Sequence, residues 1–184
     1  VLRTMWPEPR WIGSLKVITI GLTRGTRVAV LVGFTDTTRG PVGAAPGLAV
    51  APDPAPPPPV AMRTGHITAL YKSAYHVIHY NEWGPADAER VVVCLHSMFQ
   101  CNAEFDGLAR VLGAEGFRVL CPDTAGHGRS GWRRDADEYG YPLFASDIMA
   151  VVARSGAARV DVVGSSMGGF ISMKLAHEGA PFRT

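Results

Sequence analysis

Val160-Asp161-Val162-Val163-Gly164-Ser165-Ser166-Met167-Gly168-Gly169 is the stretch on which the fold is decided. Its first four residues are largely apolar and β-branched, as in a strand buried within a sheet. Gly164 to Gly168 then fits the pattern Gly-x-Ser-x-Gly, and Ile171 and Leu175 mark a helix that ends near Gly179 and Pro181. Small residues around Ser166 suit a tight strand-to-helix turn, where a Cβ branch has no room. Such a turn carries the Ser166 hydroxyl out over the end of the sheet. It also sets that hydroxyl at a helix N-terminus, where unpaired N–H groups and the helix dipole favour negative charge. Gly169 is expected to add close approach of helix to strand.

Working upstream, the same alternation recurs. Val91-Val92-Val93-Cys94-Leu95 is a continuous apolar run, read as a strand buried on both faces. Asn102 is placed to cap a helix whose apolar positions Phe105, Leu108, Ala109 and Leu112 follow helical spacing, with Gly116 ending it. Phe117 to Cys121 is a further strand, stopped by Pro122. Pro142 suits the first turn of a helix bearing Phe144, Ile148, Val151 and Val152 on one face, closed by Gly156. Tyr75 to Tyr80 follows a turn at Lys72-Ser73-Ala74 and is expected to pair antiparallel with Ile67 to Tyr71. Strands alternating with amphipathic helices predict an α/β fold: a mostly parallel sheet with helices on both faces and an antiparallel leading hairpin.

Three motifs carry a resemblance. His96-Ser97-Met98 follows the first buried strand, Asp123-Thr124-Ala125-Gly126-His127-Gly128-Arg129-Ser130 follows the next, and Gly164 to Gly169 follows the third. In that order and at those strand ends, residues 66–184 resemble the N-terminal part of an α/β-hydrolase-fold protein. The resemblance implies Ser166 as a nucleophile attacking an acyl carbonyl carbon. The backbone N–H groups of Met167 and Met98 would hold the resulting oxyanion. Ser97 stands where the family most often has glycine; if the position demands a positive φ, Ser97 is strained there. His96 is expected to organise the oxyanion loop by hydrogen bonding, and His127 and Asp123 to shape their own loop. A serine at the turn's centre argues against haloalkane dehalogenase and epoxide hydrolase chemistry, in which that position is an Asp.

A serine nucleophile needs a base, itself oriented by an acid, and in this fold both follow the serine. After Ser166 come His177 and Glu178. His177 lies eleven residues along the helix, about 16 Å away at 1.5 Å per residue, and cannot be that base. The expectation is therefore a truncated domain over 61–184, without its later strands and cap and with little turnover of its own. It also leaves Val160 to Val163 as an unpaired sheet edge. The competing reading is a non-catalytic hydrolase-fold binding module or an unstable fragment. His76 and His79, three apart on a strand, face opposite ways, so a metal pair is not expected there. The group Arg133, Arg134, Asp135, Asp137 and Glu138 reads as a solvated loop of mixed charge.

Composition separates two halves of the 184 residues. Residues 1–60 hold 10 of the 14 prolines and six Lys/Arg against three Asp/Glu; residues 61–184 hold 12 Lys/Arg, 13 Asp/Glu and all six histidines. The stretch from Gly40 to Pro59 has four consecutive prolines and cannot build a core, so 1–60 reads as a Pro-rich leader or upstream extension, with the functional start at Met62. Within it, Val17 to Ile20 and Val28 to Phe34 are short apolar runs, open to reading as a strand hairpin or as a poor signal peptide. A net charge of +2 gives no basis for a nucleic-acid partner, and no apolar run is long enough to span a membrane. No cofactor or metal is implied, and a small acyl compound is the expected partner. Three cysteines, Cys94, Cys101 and Cys121, suit free thiols in a reducing compartment, which points to the cytoplasm.

Overall fold

The computed structural model describes residues 16–22, 26–32, 59–71 and 74–178, the first two segments as backbone only. The Lys72-Ser73 turn, most of the Pro-rich stretch and the end of the last helix at Gly179 and Pro181 lie outside them. The strands are β1 (Lys16–Leu22), β2 (Thr26–Val32), β3 (Met62–Tyr71), β4 (Ala74–Trp83), β5 (Val91–Leu95), β6 (Arg118–Pro122) and β7 (Val160–Ser165). The helices are α1 (Asp106–Ala114), α2 (Tyr141–Ser155) and α3 (Met167–His177). Among the described residues the strands form one sheet in the order β1-β2-β7-β5-β6-β4-β3.

Its centre is parallel. Val93 of β5 lies between Leu120 of β6 and Val162 of β7, so three strand ends converge on one edge. β4 runs antiparallel to β6, and β3 antiparallel to β4 with Ile67 opposite Ile78, as the apolar patterns predict. Side chains of β5 and β6 alternate between two cores. Val91, Val93, Leu95 and Leu120 pack on Ile148, Val151, Val152, Ile171 and Leu175 of α2 and α3. Val92, Cys94, Val119 and Cys121 pack on Phe105, Ala109 and Leu112 of α1 and its lead-in turn. Helices on both faces are what makes these short strands apolar throughout.

Two expectations fail here. The β7 edge is not open: β2 pairs with it in parallel, Val30 opposite Gly164, and β1 pairs antiparallel with β2. The hairpin reading of those runs therefore holds, and part of the supposed leader belongs to the sheet. Asn102 is not a side-chain cap. A short 3₁₀ turn over Asn102–Phe105 leads into α1, and its N-cap is Cys101 with no side-chain hydrogen bond. Asn102 is occupied elsewhere, as described below. Gly156 does close α2 as predicted, with φ +71°.

Glu82 is fixed by two arginines, Arg63 at 2.9 Å and Arg118 at 3.1 Å, which ties β3 and β6 to β4. Burial alone would raise its pKa, but the hydrogen bonds from the two guanidinium groups outweigh that and hold the carboxyl below the ordinary glutamate value.

Ile148 is fully buried between α2 and the sheet. Ile148→Ala is expected to cost about 2–5 kcal/mol, from lost transfer energy plus the cavity left behind. Urea unfolding of the two proteins measures it, and a loss below 1 kcal/mol would contradict this packing.

Candidate active site

Ser166 has φ +47° and ψ −108°, the one positive φ at a non-glycine position among the described residues. It stands between the last residue of β7 and the first of α3, as N-cap of that helix, and its side chain is exposed. A conformation this sparsely populated costs on the order of 1–3 kcal/mol, so the surroundings must impose it. They do so by close approach. A Cβ on Gly164 would overlap the backbone of Gly168 and Gly169, and one on Gly168 would overlap the Leu95 carbonyl oxygen. Gly164 and Gly168 thus make the close approach of helix to strand. The Ser166 carbonyl accepts from Gly169 N at 2.9 Å and Phe170 N at 3.2 Å, anchoring the first turn.

Leu95 pairs with Gly164, so the chain leaving β5 emerges beside the serine turn. Ser97 lacks the positive φ that would have strained it. Its N–H donates to Glu104 Oε2 at 2.7 Å, and Gln100 N donates to Ser97 O at 3.1 Å, closing a turn around Met98. Met98 and Phe99 are exposed, whereas the Met167 side chain is buried in the core.

Two histidines knit this loop to the one after β6. His96 is fully buried. Its Nε2 accepts from Thr124 N–H at 3.0 Å, so the proton sits on Nδ1, which donates to Ser97 O at 2.7 Å. With His96 Nε2 already taken, the Thr124 hydroxyl donates to His127 Nδ1 at 3.0 Å, and His127 Nε2–H donates to Met98 O at 2.7 Å. The rings of His96 and His127 lie 5.1 Å apart. Burial pushes the His96 pKa below its ordinary value; the Ser97 carbonyl opposes this and the neighbouring His127 adds to it.

Asp123 is the hub of the second loop. Its carboxylate accepts from Asn102 N at 2.7 Å, Asn102 Nδ2 at 3.1 Å and Arg129 N at 2.9 Å. This is the work of Asn102 in place of capping. Gly128, at φ +50°, has no room for a Cβ against that carboxylate. Ser130 Oγ donates to Asp123 O and accepts from His79 N, stapling the loop to β4.

The remaining titratable groups stand apart. His76 is buried and its Nε2–H donates to Asp147 at 2.9 Å, while half-buried His79 lies against His66 on the other side of the strand. Among the described residues no group of three or more His, Cys, Asp or Glu is placed to hold a metal. Cys94 and Cys121 are buried free thiols; their mutual hydrogen bond and burial push the Cys121 thiol well up, so it stays protonated and inert. The mixed-charge loop is not wholly solvated: Arg133 and Glu138 are buried, and Arg133 donates to Asp147 at 2.7 Å. Asp147 was missed in the sequence. The available signal was a carboxylate among Phe144, Ile148 and Val151 on the apolar stripe of α2.

With this geometry in view, the comparisons are specific. Residues 90–181 match the model of the α/β hydrolase fold family. The chain belongs to that family. It is 40% identical over 114 residues to a 3-hydroxybutyrate-oligomer hydrolase of Cupriavidus necator, covering 62% of this chain and 39% of that protein. It is 36% identical over 92 residues to a bifunctional esterase/perhydrolase of Acinetobacter calcoaceticus, covering 50% and 32%. Among solved structures, an α/β hydrolase from Novosphingobium aromaticivorans superposes with a TM-score of 0.58 at 25% identity, over 66% of this chain and 41% of that one. The thioesterase domain from the curacin biosynthetic pathway gives 0.58 at 25%, over 65% and 44%. The chain therefore spans about a third to somewhat under half the length of these relatives.

The neutral His96 makes stability depend on pH. Its native pKa is lowered, so its contribution is complete above the unfolded value of about 6.5 and is lost as pH falls through the native value. Unfolding free energy measured from pH 7.5 to 5 is expected to fall less steeply in His96→Asn than in the parent chain. Equal slopes would contradict the buried neutral imidazole.

Proposed function

We propose that Ser166 is the nucleophile of a serine hydrolase acting on a carboxylic ester or a related acyl compound. The observation that carries the reading is the strained backbone at Ser166, held by two glycines whose contacts exclude a side chain. Strain of this kind persists where the surroundings over-determine it, and it clusters at active sites. In this reading the Ser166 hydroxyl oxygen attacks the acyl carbonyl carbon and its proton passes to a base. The tetrahedral oxyanion takes hydrogen bonds from Met167 N–H, at the start of α3, and from Met98 N–H, on the loop leaving the adjacent strand. A donor of this kind is worth roughly a hundred- to thousandfold in rate. His127 acts as a positioning residue, because its bond to Met98 O fixes the peptide chain that presents the second donor. The names of the hydroxybutyrate-oligomer hydrolase and the esterase/perhydrolase support an ester as substrate class.

The six histidines supply no base in this reading. His96 and His127 have both ring nitrogens committed, His76 is bonded to Asp147, and His66 and His79 are on the leading hairpin. His177 is about 16 Å along α3 at 1.5 Å per residue. We accordingly read the 184 residues as the N-terminal part of the domain, carrying nucleophile and oxyanion donors while the acid and histidine come from elsewhere. Among the described residues no helix is long and apolar enough to cross a membrane. The buried thiols of Cys94 and Cys121 favour a reducing, cytoplasmic setting.

Purified 184-residue chain is expected to hydrolyse p-nitrophenyl butyrate at a rate indistinguishable from its Ser166→Ala variant. Ser166-dependent turnover well above that background would show a base within these residues and overturn the division of the triad.

A further inference from the structure

Among the described residues Arg133 is the largest charged side chain buried outside the serine site, and its hydrogen bonding is incomplete. Only 2% of the side chain is exposed. Nη2 donates to Asp147 Oδ2 at 2.7 Å and to Leu143 O at 3.1 Å, but Nε and Nη1 have no acceptor in the structure. A buried guanidinium with donors unspent is costly, because a missing hydrogen bond leaves the desolvation of each N–H uncompensated.

Arg133 also lines a pocket of about 270 Å³, together with Arg134, Tyr71, Tyr75, His76, Trp132 and Glu138 among others. The guanidinium carbon stands 5.3 Å from the centre of the Tyr71 ring. Trp132 and Tyr75 are 78% and 72% exposed, an unusual position for two large rings on one rim. Asp147 is shared between Arg133 and His76 and sits behind the pocket, where it holds Arg133 without filling its remaining donors. The pocket also lies at the catalytic edge of the sheet. β4 runs past the C-terminal end of β6, so His76 projects beyond it on the side where β7 delivers Ser166. In the order β7-β5-β6-β4 that is three strand spacings, about 14 Å across at about 4.8 Å each.

We propose that this pocket is a binding site for the carboxylate of a small organic molecule, with Arg133 Nε–H and Nη1–H as the recognising donors and Tyr75 and Trp132 covering its apolar part. A single negative charge suits the site. Arg133 and Arg134 bring two positive charges to the pocket, against Asp147 bonded to Arg133 and Glu138 on the rim, so no excess of positive charge favours a dianion. The site is independent of Ser166 chemistry and stands or falls on binding alone.

The test is nuclear magnetic resonance of the arginine Nε–H groups in the full chain, with the Arg133 signal assigned by its loss in Arg133→Lys. Titration with benzoate is expected to move that signal in a saturable way. Neutral benzamide is expected to need at least about tenfold more ligand, since charge-assisted hydrogen bonds are about twice as strong as neutral ones. Trp132→Ala, a change at an exposed ring that leaves the core untouched, is expected to weaken benzoate binding while the unliganded Arg133 signal stays in place. An Arg133 signal that does not move with benzoate overturns the proposal. So does one that moves equally with benzamide, which would show no recognition of charge, or equally with inorganic phosphate, which would show a general anion site.

Discussion

Everything at the candidate site depends on how closely α3 approaches β5. Gly168 lies so near the Leu95 carbonyl that any side chain would displace the helix, and Gly164 makes the same demand from the strand side. That approach leaves Ser166 no relaxed way to connect β7 to α3, and the residue takes φ +47°. A cost on the order of 1–3 kcal/mol is small beside the burial of Ile171, Leu175 and Ile148 beneath the same helices. The core thus imposes the turn, and the turn sets the hydroxyl outside the core.

The second part of the site is held differently, by hydrogen bonds in series. Ser97, His96, Thr124, His127 and Met98 form a closed path between the loops after β5 and β6, in which each tautomer follows from the neighbour's requirement. Asp123 then ties that path to Asn102 and the Gly128 turn. Two histidines on loops at the same edge of the sheet as Ser166 invite assignment as bases. Here their nitrogens are spent on architecture, and the low pKa direction of His96 is a consequence of that burial.

Much of this was legible in the chain because it rests on local pattern. The apolar runs at Val91 and Val160, the Gly-x-Ser-x-Gly turn and the helical spacing of Phe144, Ile148 and Val151 each specify an element without reference to distant residues. What was not legible is non-local. Asn102 precedes α1 as a cap would, yet Asp123, brought alongside by β6, competes successfully for its amide and backbone N–H. Arg133 sits in a charged run that reads as solvated, and only the packing of α2 reveals Asp147 waiting for it. The pairing of β2 with β7 joins residues more than a hundred positions apart, which periodicity alone does not show.

The most direct test is covalent. With p-nitrophenyl acetate as acyl donor and imidazole supplied in solution as the base, peptide mass spectrometry identifies which hydroxyls of the folded chain are acetylated. The account predicts acetyl-Ser166 in clear excess over every other serine, with the preference lost in urea. Acetylation of Ser166 no faster than that of its half-buried neighbour Ser165 or of the exposed hydroxyls would contradict it.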